Sequence, residues 1–97
     1  MDEIPKLLII DDSEYICCQI EQILKNENIE LMKAHNGDEA IEKVKSFVPD
    51  LILLDVILPD IEGYDLYHKI KSIDQNDVSI VFLTSKDGDR DVMKGLS

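Results

Sequence analysis

The run Leu51–Leu54, held between Asp50 and Asp55 in the stretch DLILLDVILPDIEG, limits the fold more than any other part of the chain. Four consecutive apolar residues, one of them β-branched Ile52, leave no polar face. Such a run suits a strand buried on both sides, as in a parallel sheet covered by helices. Asp55 stands where the run stops. Pro59 has no N–H to donate and ends regular pairing, and Gly63 is read as the residue that lets the backbone turn sharply into the next amphipathic segment. A buried strand that delivers an acid to its carboxyl end places it where open α/β sheets hold reactive groups. A solvated acid capping a loop fits this stretch alone equally well.

The rest of the chain repeats the arrangement. Lys6–Ile10 (KLLII) is a first apolar strand, followed at once by Asp11 and Asp12. Ser13 is placed to cap the next helix, with Glu14 in its first turn. Ile16, Ile20, Ile23 and Leu24 recur at helical spacing and predict a helix over 14–26 with one buried face. Residues 29–34 (IELMKA) read as a strand in which Glu30 and Lys33 interrupt the apolar pattern, an edge signature. Asn36, with Glu39 three residues later, resembles a capping box. Ala40, Ile41, Val44, Phe47 and Val48 form the stripe of a second helix, which Pro49 terminates by disfavouring the helical conformation at Val48. Leu66, Tyr67, Ile70 and Ile73 mark a third helix and 72–77 a turn. Residues 78–83 (VSIVFL) form a fourth strand that ends in Thr84, Ser85 and Lys86. A fourth helix is expected from Asp87–Asp89, carrying Val92, Met93 and Leu96.

Strict alternation of strand and helix predicts an α/β fold with a doubly wound parallel sheet and right-handed crossovers. With the second strand at an edge and the first central, the first and third are neighbours, giving a flavodoxin-like order 2-1-3-4. The run Ile80–Leu83 reads as an interior strand, so a fifth strand and fifth helix are expected beyond the chain. On that reading residues 1–97 are one domain, cut within or just after the fourth helix and lacking about 25 residues, since a βαβ unit takes roughly 30. An uncovered fourth strand predicts dimerisation, domain swapping or aggregation.

A net charge of −11 argues against direct binding to nucleic acid or to an anionic membrane surface. Neither a bilayer-spanning run nor a signal-peptide pattern is present. Cys17 and Cys18 are adjacent, a spacing unsuited to a mutual disulfide, and are expected reduced and partly core-facing, consistent with a cytoplasmic location. His35 and His68 are expected at or near the surface, Tyr64 and Tyr67 in packing, and Met32 and Met93 as core fillers. Asp60, Glu62 and Asp65 are explained by favourable contact with the dipole of the third helix.

Asp11 and Asp12, Asp55, and Thr84 thus end three inner strands around one crevice. At about 5 Å and an effective dielectric of about 20, each pair of carboxylates repels by roughly 3 kcal/mol before screening, so the cluster calls for a cation. All-oxygen donors with room for water suit Mg²⁺ or Mn²⁺. An Asp in such a setting can attack a phosphoryl group in line, with the Thr84 hydroxyl donating to a phosphoryl oxygen.

At this point the chain resembles the receiver domains of two-component response regulators. The matching features are Asp11-Asp12 after LLII, Asn36-Gly37, PDLILLD at 49–55, Pro59 and Gly63, and a strand that ends in Thr84-Ser85. The resemblance implies that Asp55 is the phosphoacceptor and Thr84 the switch hydroxyl. It implies Mg²⁺ held by Asp11, Asp12, Asp55 and the backbone carbonyl of Ile57, with the side chains of Ile57 and Lys86 lining the site. It further implies phosphoryl transfer from a histidine kinase or phosphotransfer protein. An output domain or partner protein would read the face formed by the fourth strand and fourth helix. Any catalysis is limited to the domain's own phosphorylation and dephosphorylation. The family's lysine after the fifth strand is not in this sequence, and Lys86 does not occupy its place; reduced phosphorylation is therefore expected of this segment alone. The rival readings are a phosphate-independent interaction module of the same fold and a flavin carrier. The acidic run Asp11-Asp12-Ser13-Glu14 opposes the latter by repelling a cofactor phosphate.

Overall fold

Residues 4–74 and 77–83 are described by the structure, a computed structural model. Thr84, Lys86 and the expected fourth helix lie outside the described residues. The apolar runs form β1 (Lys6–Ile10), β2 (Glu30–Ala34), β3 (Leu51–Asp55) and β4 (Ser79–Leu83), and the amphipathic stretches form α1 (Glu14–Leu24), α2 (Gly37–Phe47) and α3 (Gly63–Ile73). The strands are parallel and lie in the order β2-β1-β3-β4, as the sequence predicts.

Strand alternation sends successive side chains to opposite faces. Leu8, Ile10, Ile52, Leu54, Ile80 and Phe82 pack with Ala40, Val44 and Phe47 of α2 and with Leu66 and Ile70 of α3. Leu7 and Ile9 pack on the other face with Cys17, Ile20 and Leu24 of α1. The sheet is therefore covered on both sides, α1 against α2 and α3. In β4, Ile80 and Phe82 are buried while Val81 and Leu83 are half-buried. Tyr64 and Tyr67 pack on Phe82, with ring centroids at 4.7 and 5.7 Å.

The edge position of β2 explains its charges. Lys33 reaches Glu14 and Glu21 of α1 at 3.1 and 3.4 Å, and Met32, expected in the core, is exposed there.

Three details depart from the sequence expectation. Ile23 is 75% exposed, because the inward stripe of α1 runs through Cys17, Ile20 and Leu24 and leaves Ile23 a turn fraction away. Of the two cysteines expected to be partly core-facing, Cys17 is buried, which pushes its thiol up to about 11, but Cys18 is exposed; both are free, as expected. Val48 caps α2 in the left-handed region at φ 52 instead of continuing its stripe. Pro49 closes the helical region to Val48, yet the chain turns left-handed rather than extended.

Candidate functional site

Register builds the site. Ile10 is paired with Leu54 across the β1–β3 ladder, so the residues that follow, Asp11 and Asp55, stand abreast at the carboxyl end of the sheet. Asp12 comes next in the chain, and oxygens of all three carboxylates lie within 4.8 Å of one another. Asp11 and Asp55 are buried, at 1% and 3% exposure, whereas Asp12 is exposed.

Local backbone fixes the two buried acids. The Asp11 N–H donates to the Ala34 carbonyl at 3.0 Å, and its Oδ1 accepts from the Ser13 N–H at 2.9 Å. Ser13 in turn caps α1, its hydroxyl accepting from the Ile16 N–H at 3.3 Å. Asp55 Oδ1 accepts from the Ile57 N–H at 3.2 Å. Each acid thus bonds the amide two residues on, as Asp does in turns.

Electrostatics oppose ionisation here. Burial is the main cause that raises both Asp11 and Asp55 above the ordinary carboxylate range, and Asp55 is pushed up to about 6. The N–H groups of Ser13 and Ile57 pull the other way; repulsion from Asp12 raises both acids further, and the contact between Asp11 and Asp55 raises Asp55 while lowering Asp11. Such a set is compatible with a metal ion: three carboxylates, two buried and destabilised as anions, converge within reach of one cation.

The loop after Asp55 closes on itself. Ile57 bridges Glu62, and the Gly63 N–H donates to the Val56 carbonyl at 2.9 Å. Gly63 does not adopt positive φ, contrary to the turn reading; its lack of a side chain serves close approach instead. A Cβ there would lie 2.6 Å from the Val56 Cα and 2.7 Å from the Asp55 carbonyl oxygen. The Ile57 side chain is 59% exposed beside the site.

Asp60 was expected to serve the dipole of α3, and the structure assigns it to α2. Its Oδ1 accepts from the Gly37 N–H at 2.8 Å and its Oδ2 from the Asp38 N–H at 3.3 Å. Asn36 caps the same helix as predicted, accepting from the Glu39 N–H at 2.9 Å. The Glu39 carboxylate turns to the His35 N–H, one residue short of the reciprocal bond of a capping box. His35 also meets Glu14 at 2.9 Å on the exposed side of the site.

Among the described residues, no helix is long and apolar enough to cross a membrane. Comparison with known proteins gives a family match over residues 7–97 to the response regulator receiver domain. The regulatory protein VanR of Enterococcus faecium is 37% identical over 92 residues, covering 95% of this chain and 39% of VanR. The transcriptional regulatory protein AfsQ1 of Streptomyces coelicolor is 35% identical over 92 residues, covering 95% of this chain and 40% of AfsQ1. The chain thus spans about two-fifths of the length of these relatives. Among solved structures, the BeF3-activated N-terminal receiver domain of Klebsiella pneumoniae RstA superposes with a TM-score of 0.76 at 30% identity, covering 89% of this chain and 72% of that one.

Proposed function

The chain belongs to the response regulator receiver family, and from that premise we propose that it is a phosphorylation-dependent signalling switch whose phosphoacceptor is Asp55. The observation that carries this reading is the gathering of Asp11, Asp12 and Asp55 at one rim, with Asp55 buried and its carboxyl pushed up to about 6. Above that pH the side chain is an anion in a site that penalises the anion, which makes it a better nucleophile than an ordinary aspartate.

A carboxylate oxygen of Asp55 attacks the phosphorus of a phosphohistidine on a histidine kinase or phosphotransfer protein. The N–P bond breaks, the imidazole leaves with its electron pair and takes up a proton, and an aspartyl phosphate remains. Water later attacks the phosphorus, releasing phosphate and restoring the carboxylate. The Ile57 N–H holds Asp55 Oδ1 in place during the attack. A divalent cation of the Mg²⁺ class, held by Asp11, Asp12, Asp55 and the Ile57 carbonyl, would offset charge on the phosphoryl oxygens. Thr84, which follows the residue in register with Asp55, supplies the hydroxyl that answers the new phosphoryl group. The regulatory proteins AfsQ1 and VanR are both much longer than the aligned region, which supports a further output segment as the reader of the switch.

Asp55→Asn tests this directly. With acetyl phosphate and Mg²⁺ the intact protein acquires acid-labile phosphate, and the variant acquires none. Undiminished labelling of the variant would refute the assignment. A protein that shows no Mg²⁺-dependent response to beryllofluoride would instead be a docking module of the same fold.

A further inference from the structure

We infer that Asp60 is a positioning residue, which holds the loop after β3 so that the backbone of Ile57 stays aimed at Asp55. The inference rests on the functional reading above for its consequence, though not for its geometry. The loop 56–62 is closed at its base by the Gly63 N–H on the Val56 carbonyl and by the Ile57–Glu62 bridge. Its tip, Pro59-Asp60-Ile61, is tied to a different element. Both Asp60 oxygens accept backbone N–H groups from the first turn of α2, 22 and 23 residues away. Ile61 sits against the same turn, so close that a Cβ on Gly37 would lie 2.5 Å from the Ile61 Cγ2.

The bonds are well matched. Gly37 and Asp38 carry N–H groups that a helix cannot satisfy internally, and the carboxylate meets the positive end of the helix dipole. Asn36 takes only the Glu39 N–H, so Asp60 completes the cap. Three residues before Asp60, the Ile57 N–H steadies the Asp55 carboxylate. A rigid helix is thereby coupled through one carboxylate to the strand-end acid, in the way that outer partners orient the ligands of a metal. The helix cap and the site loop share one side chain.

Two variants of the intact protein separate this role from simple capping. Asp60→Ala removes the tie and part of the cap; Asn36→Ala removes another part of the cap and leaves the tie. Two quantities are measured in each: amide exchange at Ile57 by NMR without metal, and the Mg²⁺ titration midpoint. Asp60→Ala is expected to speed Ile57 exchange at least tenfold over Asn36→Ala at matched thermal stability. It is also expected to weaken Mg²⁺ binding about tenfold, the low end for loss of such a partner, and Asp60→Asn to recover part of both. Equal Ile57 exchange in the two alanine variants overturns the inference, as does undiminished Mg²⁺ affinity in Asp60→Ala when the wild type binds the ion. If the wild type itself shows no Mg²⁺ response, the metal reading fails and the exchange comparison alone decides the role of Asp60.

Discussion

Replacing Asp55 by Asn should stabilise the metal-free protein, and by an amount that depends on pH. The Asp55 carboxyl lies near pH 6 in the fold against 3.8 in an unfolded chain, mainly through burial. A shift of about two units corresponds to about 3 kcal/mol, at 1.36 kcal/mol per unit. Its sign follows from which state binds the proton more tightly. The folded state does, so the contribution is fully present below about pH 4 and is lost as pH rises through about 6. Asn carries no proton to lose and still offers an oxygen to the Ile57 N–H. Its advantage over Asp should therefore be near zero at about pH 4 and reach about 2–3 kcal/mol by about pH 8. For a domain of this size that is a rise in melting temperature on the order of 10 °C. Urea unfolding in EDTA across this range measures the difference. Adding Mg²⁺ at a hundredfold excess over its Kd should return about 2.7 kcal/mol to the wild type and much less to the variant. A wild type as stable as Asp55→Asn at about pH 8 in EDTA would show that the cluster imposes no such cost, and would remove the physical case for a cation.

Two further substitutions test the frame around the site. Gly63→Ala drives a methyl into the Val56 Cα and the Asp55 carbonyl oxygen, and should cost about 2–3 kcal/mol, as overpacking against unyielding atoms does; a urea midpoint within error of wild type would contradict the close approach. Val48→Asn should stabilise by about 1 kcal/mol, because a β-branched residue in the left-handed region carries a strain of about 1–2 kcal/mol that Asn largely escapes. An unchanged or lower melting temperature for Val48→Asn would count against it.

The parts of this fold that were legible in the sequence are those dictated by local pattern. KLLII, LILLD and SIVFL contain only one outcome for their backbone once helical stripes separate them, and the charges on β2 settle which strand lies outside. From that order the meeting of Asp11, Asp12 and Asp55 follows. Asp60 was not legible as a cap for α2, because its partners lie 22 and 23 residues away and sequence spacing alone draws it to the nearer helix. One signal could have found it: Asn36 can serve a single N–H of α2, which leaves Gly37 and Asp38 in want of an acceptor. The exposure of Ile23, and the choice of Cys17 over Cys18 as the buried thiol, were missed for a different reason. A helix stripe read from the largest apolar residues ignores that a small thiol fits closest to the sheet, where α1 approaches β1.

The site's strain cannot be relieved by ordinary relaxation, and this ties the fold to its use. Two acids on a surface helix would rotate apart. Here Asp55 belongs to the β3 ladder, paired with Leu83, and Asp11 follows β1 directly, with its own N–H bonded to the Ala34 carbonyl. Separating them would mean breaking a central ladder whose flanking residues, Ile9, Ile10 and Leu54, are fully buried. The hydrophobic burial of those strands offsets the repulsion and holds the carboxylates together. What remains is a proton, a cation or a covalent change at Asp55, and each alters the charge at one end of β3 while the core stays fixed. A group so confined reports its chemical state through the elements that touch it, which among the described residues include β1 and β4 on either side and the loop that Asp60 ties to α2.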